Sequence, residues 1–150
     1  MKLNLEGKQV LVYGLGATGT AVARFLADRG ARVRAIDDRP LAELSDAVAS
    51  LEDCALTVEY APGTPSLPPG TELVIPSPGV PPDNPVLRQA ESNDIPVISE
   101  IELAFAFIDR PVVAVTGTNG KTTTTELVGH MLKLWGKEVF LGGNLGTPLI

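Results

Sequence analysis

One short glycine-rich segment contains the residue types and spacing best suited to chemistry. Residues 116–123 read T-G-T-N-G-K-T-T and directly follow an apolar run that predicts a buried strand. Gly117 and Gly120 permit backbone conformations that a side chain would forbid, so consecutive N–H groups can point at phosphate oxygens. Lys121 adds a positive charge for the terminal phosphates, and the Thr122 hydroxyl can ligate Mg²⁺. Residues 116–123, called the triphosphate loop below, therefore predict a nucleoside triphosphate site and phosphoryl transfer.

The segment departs from the usual phosphate-binding loop at one position. The pattern G-x-x-x-x-G-K-[ST] requires a glycine five positions before Gly120, where this chain has Val115. The first glycine is Gly117 instead, which indicates a subclass of the loop. A Gly/Thr-rich turn that only caps a helix is the alternative interpretation.

A second glycine-rich motif lies near the amino terminus. Residues 14–19 read G-L-G-A-T-G between a predicted strand and a predicted helix, and Asp37 follows 21 residues after Gly16. This arrangement matches the dinucleotide-binding fingerprint, in which the acidic residue takes ribose hydroxyls. Two features argue against a nicotinamide enzyme. Arg39 would lie near the base or ribose of a bound nucleotide, and dehydrogenase chemistry does not explain the triphosphate loop that follows about 100 residues later. A dinucleotide fold reused for another nucleotide diphosphate explains both motifs, while an NAD(P)-binding oxidoreductase or sensing domain and a ligand-free turn are the alternatives.

The composition excludes several classes of protein. The chain has 150 residues, of which 44% are hydrophobic and 20% are charged, as is typical of a globular protein. A formal net charge of -6 argues against nucleic-acid binding. The single Cys54 excludes an internal disulfide and a cysteine-based zinc cluster, and we expect it to pack in or near the core. No segment has the roughly 18 apolar residues that a membrane span needs, and no signal peptide is recognisable, so we expect a cytoplasmic protein without a membrane partner.

The order of predicted elements indicates an α/β fold with a Rossmann-like parallel sheet and flanking helices. The predicted strands are residues 10–13, 33–36, 56–58, 73–75, 97–98, 112–115 and 139–141. The predicted helices follow Gly19, cover about 41–51, 85–92 and 100–108, and follow the triphosphate loop. Nine of the thirteen prolines lie between residues 62 and 85, where they are expected to shape loops of one domain.

The ordered set of motifs resembles the Mur ligase family, and most of all its D-glutamate-adding branch. The motifs are G-L-G-A-T-G at 14–19, D-D-R at 37–39, P-S-P-G-V at 76–80, S-E-I-E-L at 99–103, V-T-G-T-N-G-K-T-T at 115–123 and G-G-N-L-G at 142–146. The resemblance implies a UDP-precursor-binding domain at residues 1–98. It also implies that residues 99–150 are a linker helix and the incomplete start of a central P-loop α/β ATPase domain.

The resemblance also implies the ligands and the residues that hold them. The UDP substrate, UDP-N-acetylmuramoyl-L-alanine, would bind to Gly16, Ala17, Thr18, Asp37, Arg39, Ser77, Gly79 and Asn144. Within that set, Ala17 and Thr18 would meet the diphosphate, Asp37 and Arg39 the uridine, and Asn144 the sugar-peptide part. ATP would be held by Gly117, Thr118, Asn119, Gly120, Lys121, Thr122 and Thr123, with Lys121 and Thr122 as catalytic residues and Thr122 near Mg²⁺.

The reaction implied by the resemblance is ATP-dependent amide-bond formation in peptidoglycan precursor synthesis. The substrate carboxylate would attack the γ-phosphate to give an acyl phosphate, and the amino group of D-glutamate would then displace phosphate. Further metal ligands and the amino-acid-binding domain of the family have no counterpart in these residues. We therefore expect this 150-residue chain to have no ligase activity by itself.

Overall fold

Four parallel strands form the sheet that organises the first part of the chain. The computed structural model describes residues 3–52, 54, 56–60, 66–143 and 148–150, with only the backbone described for 41 and 56–60. The strands are β1 (Gln9–Tyr13), β2 (Arg32–Asp37), β3 (Leu56–Tyr60) and β4 (Leu73–Pro76), in the spatial order β3-β2-β1-β4. The α/β fold and these four predicted strands are confirmed.

The strand order reverses between β1 and β4. The chain runs outward from β1 to β2 and β3 on one side, and then returns to place β4 on the other side of β1. Tyr13, the last residue of β1, pairs with Ile36 on one side and Pro76 on the other. The carboxyl ends of three strands therefore meet at one edge, beside the reversal point at which open α/β sheets bind ligands.

Both faces of the sheet are covered, which explains why β1 and β4 read as nearly continuous apolar runs. Val10 and Val12 of β1 belong to one buried cluster, and Leu11 and Tyr13 belong to a second. Helix α1 (Ala17–Ala27) places Val22 in the first cluster. The first cluster also takes Leu44 and Leu103 from helices α2 (Leu41–Ala49) and α4 (Glu100–Phe105), and Cys54 packs against it as expected.

Helix α3 (Pro85–Ser92) covers the opposite face, and local sequence signals set its first residues. Val86, Leu87 and Ala90 are buried in the second cluster. Asn84 caps the helix because its side chain accepts a hydrogen bond from the Val86 N–H, and Pro85 occupies the first turn, where a missing N–H costs nothing.

The strand predicted at 97–98 is wrong, because only an isolated parallel bridge joins Val97 to Val74. The Val74 N–H donates to the Pro96 carbonyl, and the Ile98 N–H donates to the Val74 carbonyl. Proline has no N–H, and Ser99 already begins the cap of α4, so the pairing ends after one residue. Helix α4 ends at Phe105, three residues before the predicted end.

The backbone divides into two units, Met1–Phe107 with Ile150, and Ile108–Leu149. In the second unit, helix α5 (Lys121–Leu134) is confirmed, but the strands predicted at 112–115 and 139–141 are wrong. A strand must pair its backbone groups with a neighbour, and no described residue of this unit pairs with either segment. Val113 is 63% exposed, so the segment before the triphosphate loop is not a buried strand.

No helix within the described ranges combines the length and apolar character that would carry the chain across a membrane.

Candidate nucleotide-binding sites

The glycine-rich loop at residues 14–19 brings β1 and α1 into direct backbone contact. Gly14 has a φ of +91°, and its N–H donates to the Ile36 carbonyl at 2.7 Å. A Cβ on Gly19 would lie 1.7 Å from the Gly14 carbonyl oxygen, so no side chain fits there. These two glycines therefore set how closely the helix approaches the strand, which fixes the position of the helix amino terminus.

The middle glycine of the motif leaves open space at that amino terminus. Gly16 is the N-cap of α1, with no side-chain cap, and a Cβ added to it would meet nothing within 4 Å. The Thr20 N–H donates to the Gly16 carbonyl, so the amides of Ala17 and Thr18 precede the intrahelical bonds. An anion placed here would meet free amide donors and the positive end of the helix dipole.

Asp37 and Arg39 form a bidentate ion pair at the end of β2. The Arg39 Nη2 donates to Asp37 Oδ2 at 2.8 Å, and its Nε donates to Oδ1 at 3.0 Å. The Arg39 backbone N–H adds a bond to Oδ1 at 2.9 Å, and the Leu15 N–H adds one to Oδ2 at 2.6 Å. Asp37 is thus hydrogen-bonded to the glycine-rich loop through Leu15. The structure brings together Asp37 and Arg39, which the sequence predicted as site residues.

The protonation of Asp37 follows from these contacts. Burial raises the pKa of Asp37, but the hydrogen bonds from Arg39 and Leu15 and the positive charge of Arg39 outweigh burial. The pKa of Asp37 therefore lies below its ordinary value of 3.8, and the carboxylate is charged at neutral pH.

A polar network that the sequence analysis missed lies beside this pair. The Tyr13 hydroxyl donates to the carboxylate of Asp38, at 2.8 Å from Oδ1, and accepts a hydrogen bond from Asn84 Nδ2 at 3.0 Å. The Tyr13 residue is 1% exposed. A tyrosine in the last position of an otherwise aliphatic strand was the available signal, since a buried hydroxyl needs a partner.

Ser77 joins the end of β4 to the same loop. Its N–H donates to the Tyr13 carbonyl at 2.7 Å, and its hydroxyl donates to the Gly14 carbonyl at 2.7 Å. Gly79 is exposed, with open space around it. A cavity of about 350 Å³ lies beside Ser77, between the loop after β4 and helices α3 and α4, and Gly16, Asp37 and Arg39 do not line it.

In the triphosphate loop of the second unit, Gly117 and Gly120 have the positive φ values that their positions in the motif predicted. Gly117 has a φ of +146° and Gly120 a φ of +77°. Gly120 is the N-cap of α5 and has no side-chain cap. The Lys121 ammonium group donates to the carbonyls of Gly117 at 2.6 Å and Thr118 at 3.3 Å, so it folds back over the loop.

The remaining predicted ATP residues surround this backbone, and all are exposed. They are Thr118, Asn119, Thr122 and Thr123. Among the residues that the structure describes, no group of three acidic, histidine or cysteine side chains forms a metal site. Asn144 lies outside the described residues.

Two family models match segments of the chain that include its glycine-rich loops. A family model described as Mur ligase MurD-like, N-terminal domain, matches residues 8–99, which include that loop and the Asp37–Arg39 pair. The chain belongs to the Mur ligase family. A second Mur ligase model, described as the middle domain, matches residues 115–149, which include the triphosphate loop. Membership of the Mur ligase family accounts for both glycine-rich motifs. The alternative of a nicotinamide-dependent oxidoreductase leaves the triphosphate loop unexplained.

Individual Mur ligases are similar along nearly the whole chain. The UDP-N-acetylmuramoylalanine–D-glutamate ligases of Syntrophus aciditrophicus and Geotalea daltonii are 49% and 50% identical over 99% of this chain. The chain spans 33% of the length of each of these relatives. The crystal structure of UDP-N-acetylmuramate-alanine ligase MurC from Thermotoga maritima superposes with a TM-score of 0.55, at 30% identity, over 91% of this chain and 32% of that one.

Proposed function

We propose that this chain supplies the UDP-precursor site and the start of the ATP site of a D-glutamate-adding ligase. Its substrates would be UDP-N-acetylmuramoyl-L-alanine, ATP and D-glutamate, and its product the extended peptidoglycan precursor. The observation that carries the proposal is the 49–50% identity to two ligases of that name over 99% of the chain. A reaction that consumes ATP is expected in the cytoplasm.

The geometry of the first unit supports diphosphate binding at the amino terminus of α1. Gly16 leaves space for an approaching ligand, and the amides of Ala17 and Thr18 provide donors. The Asp37–Arg39 pair stands at the neighbouring strand end, where the nucleoside of a ligand bound at this sheet edge would lie.

The geometry of the second unit fits the triphosphate of ATP. The positive φ values of Gly117 and Gly120 shape a loop at the amino terminus of a 14-residue helix. Lys121 donates to carbonyls of this loop and would exchange those contacts for phosphate oxygens. Thr122 would hold Mg²⁺, which when bound neutralises charge on the transferring phosphoryl group.

The chemistry proposed for the complete ligase balances in two steps. A substrate carboxylate oxygen bonds to the γ-phosphorus as the bond to the β–γ bridging oxygen breaks, which yields an acyl phosphate and ADP. The amino group of D-glutamate then attacks the acyl carbon, loses a proton and expels phosphate. Lys121 would stabilise charge in the first step only, because its role is to contact the phosphates.

Calorimetric titration of the chain with UDP, and separately with NAD, tests the nucleotide proposal. We expect UDP to bind and NAD not to bind. Arg39→Ala should weaken UDP binding at least tenfold, because it removes a cation that stands beside the proposed position of the nucleoside. Arg32→Ala is the matched control, since Arg32 is exposed at the opposite end of the same strand. Binding of NAD without UDP would refute the proposal.

A further inference from the structure

One peptide group of the glycine-rich loop is held at both ends by side chains from the ends of two other strands. The Gly14 carbonyl accepts a hydrogen bond from the Ser77 hydroxyl at 2.7 Å, and the Leu15 N–H donates to Asp37 Oδ2 at 2.6 Å. Ser77 follows β4 and Asp37 ends β2, so the two contacts come from opposite sides of β1. Because this carbonyl and this N–H belong to one planar unit, the two bonds together fix its rotation.

The backbone at Gly14 turns easily without such a restraint. Its φ of +91° lies in the region that glycine occupies readily, and it has no side chain to limit rotation of the next peptide group. The Leu15 side chain, by contrast, is 2% exposed and packs in the first buried cluster. The Gly14–Leu15 peptide group could therefore rotate while the core stays intact, and the hydrogen bond from Ser77 opposes that rotation.

The Ser77 hydroxyl is placed and oriented for this contact. A serine hydroxyl has one proton to donate and a carbonyl can only accept, so the proton of Ser77 is committed to Gly14. The Ser77 backbone N–H donates to the Tyr13 carbonyl at 2.7 Å, which holds the serine beside Gly14. A Cβ on Gly19 would lie 2.8 Å from Ser77 Oγ, so the hydroxyl stands where β1 and α1 approach each other.

The restrained peptide group immediately precedes the amides proposed to bind the diphosphate. Leu15 is followed by Gly16, the exposed N-cap of α1, and then by Ala17 and Thr18 in the first turn of the helix. Donors that are already oriented bind an anion more tightly than donors that must be ordered when the ligand arrives. The orientation of the Gly14–Leu15 peptide group therefore affects how well these amides bind a diphosphate.

We infer that Ser77 is a positioning residue for diphosphate binding: its hydroxyl fixes the Gly14–Leu15 peptide group, and through it the direction of the amides at the start of α1. The inference rests on the proposed function, since it concerns the diphosphate part of the same UDP site. The sequence predicted Ser77 among the residues that bind the UDP substrate, whereas its hydroxyl proton is used within the protein. Loss of this hydroxyl should weaken binding of the diphosphate but not of the nucleoside alone.

Titrations of the chain with UDP and with uridine, followed by amide chemical shifts, test this selectivity. Ser77→Ala should weaken UDP binding about fivefold or more, the effect of one lost hydrogen bond, and should change uridine binding by less than about twofold. Ser92→Ala is the matched control and should change neither affinity, since the Ser92 hydroxyl also donates to a backbone carbonyl, that of Arg88 at 2.8 Å, but at the end of α3. An equal loss for both ligands, or no loss for either, would overturn the inference.

Amide hydrogen exchange without nucleotide tests the restraint itself. Ser77→Ala should speed exchange of the Leu15 amide about tenfold or more, because the peptide group can then rotate away from Asp37. The Val12 amide, which lies within β1, should keep its protection if the fold persists. Unchanged exchange at Leu15 would overturn the inference, and so would equal acceleration at Leu15 and Val12, because Ser77 would then only support the fold. If the wild-type chain binds neither UDP nor uridine, the proposed UDP site is refuted and the inference with it, whereas UDP binding that is insensitive to Ser77→Ala refutes only the inference.

Discussion

At the scale of single residues, glycines of one motif have different physical tasks. Gly19 is required because the Gly14 carbonyl occupies the space of its side chain, whereas Gly16 adjoins open space that a ligand can enter. The motif G-x-G-x-x-G alone does not separate these tasks. The distances from an added Cβ to the surrounding atoms do separate them, and they predict different effects on stability for substitutions at Gly19 and Gly16.

Gly19→Ala is expected to destabilise the protein by about 1–3 kcal/mol or more, because the added carbon would lie 1.7 Å from a backbone oxygen and the helix must move away. Gly16→Ala is the matched control and should change the free energy of unfolding by less than about 1 kcal/mol, since its φ of −73° suits any residue and its surroundings are open. Urea unfolding of both variants checks this. Equal stabilities would contradict the close approach.

Asp37 makes a pH-dependent contribution to stability. Its pKa is lowered in the folded state, so its contribution is present above the ordinary value of 3.8 and is lost as the pH falls through the folded-state pKa. We expect Asp37→Asn to lower the free energy of unfolding by about 1–3 kcal/mol at pH 7. The difference from wild type should shrink as the pH falls below about 4.

Denaturant titrations at pH 7 and pH 3 measure that difference. Asp46→Asn is the control and should have the same free energy of unfolding as the wild type at either pH, since Asp46 is exposed on α2. A deficit for Asp37→Asn that stays constant between the two pH values would show that the hydrogen bonds to the charged form are not its cause.

At the scale of elements, local residues determine where the two helices α3 and α4 begin. Ser99 and Glu102 form a reciprocal capping box at α4, in which the Ser99 N–H donates to Glu102 Oε2 at 2.7 Å and the Glu102 N–H donates to the Ser99 hydroxyl at 3.2 Å. These bonds lower the pKa of Glu102, which the backbone hydrogen bond from Ser99 affects most. Such caps are readable in the sequence because their partners are three residues apart.

Ser99→Ala should reduce the free energy of unfolding by about 1 kcal/mol, because it leaves the first amides of α4 without their side-chain acceptor. Ser45→Ala is the control. Ser45 lies inside α2, where its hydroxyl makes only a 3.4 Å contact with the Ala42 carbonyl and alanine is the better helix former. Chemical denaturation of the two variants checks the prediction, which fails if Ser45→Ala is the more destabilised protein.

At the scale of the whole molecule, the two units differ in how completely their backbones are paired. The first contains a four-stranded sheet between two buried clusters. The described part of the second contains helix α5 but no strand, and several apolar side chains are exposed: Val113, Leu127, Met131, Leu134, Trp135 and Phe140. Stability is therefore expected to be unevenly distributed along the chain.

Amide hydrogen exchange should resolve this difference. The amides of Val10 to Tyr13 pair with strands on both sides and should exchange only on global or near-global unfolding. The amides of residues 112–115 lie in a segment with no strand pairing and should exchange orders of magnitude faster. Exchange measured at low protein concentration avoids protection by association. Comparable protection of the two segments would show that 112–115 has a pairing partner.

Much of the fold could be predicted because its signals are local in the sequence. The strands β1 and β4 are apolar runs bounded by turns, and α3 begins at an Asn-Pro pair, so each signal lies within a few residues. The segments at 97–98, 112–115 and 139–141 are equally apolar, yet none is a strand in the described structure. Strand formation depends on a neighbour, and neighbour availability is not encoded in the segment itself.

The sequence by itself determined the family, the two glycine-rich loops and the residue types available to phosphate, because these depend on motif identity and spacing. Only the tertiary structure decided how those residues are used. It surrounded Asp37 with four hydrogen-bond donors, three of them from Arg39. It also brought Asn84 to the hydroxyl of Tyr13, which is 71 residues away in the chain and which donates to Asp38. The physical reason is that the Leu15 amide reaches Asp37 from 22 residues away and the Tyr13 hydroxyl reaches Asp38 from 25 residues away, and these contacts exist only once the strands have paired.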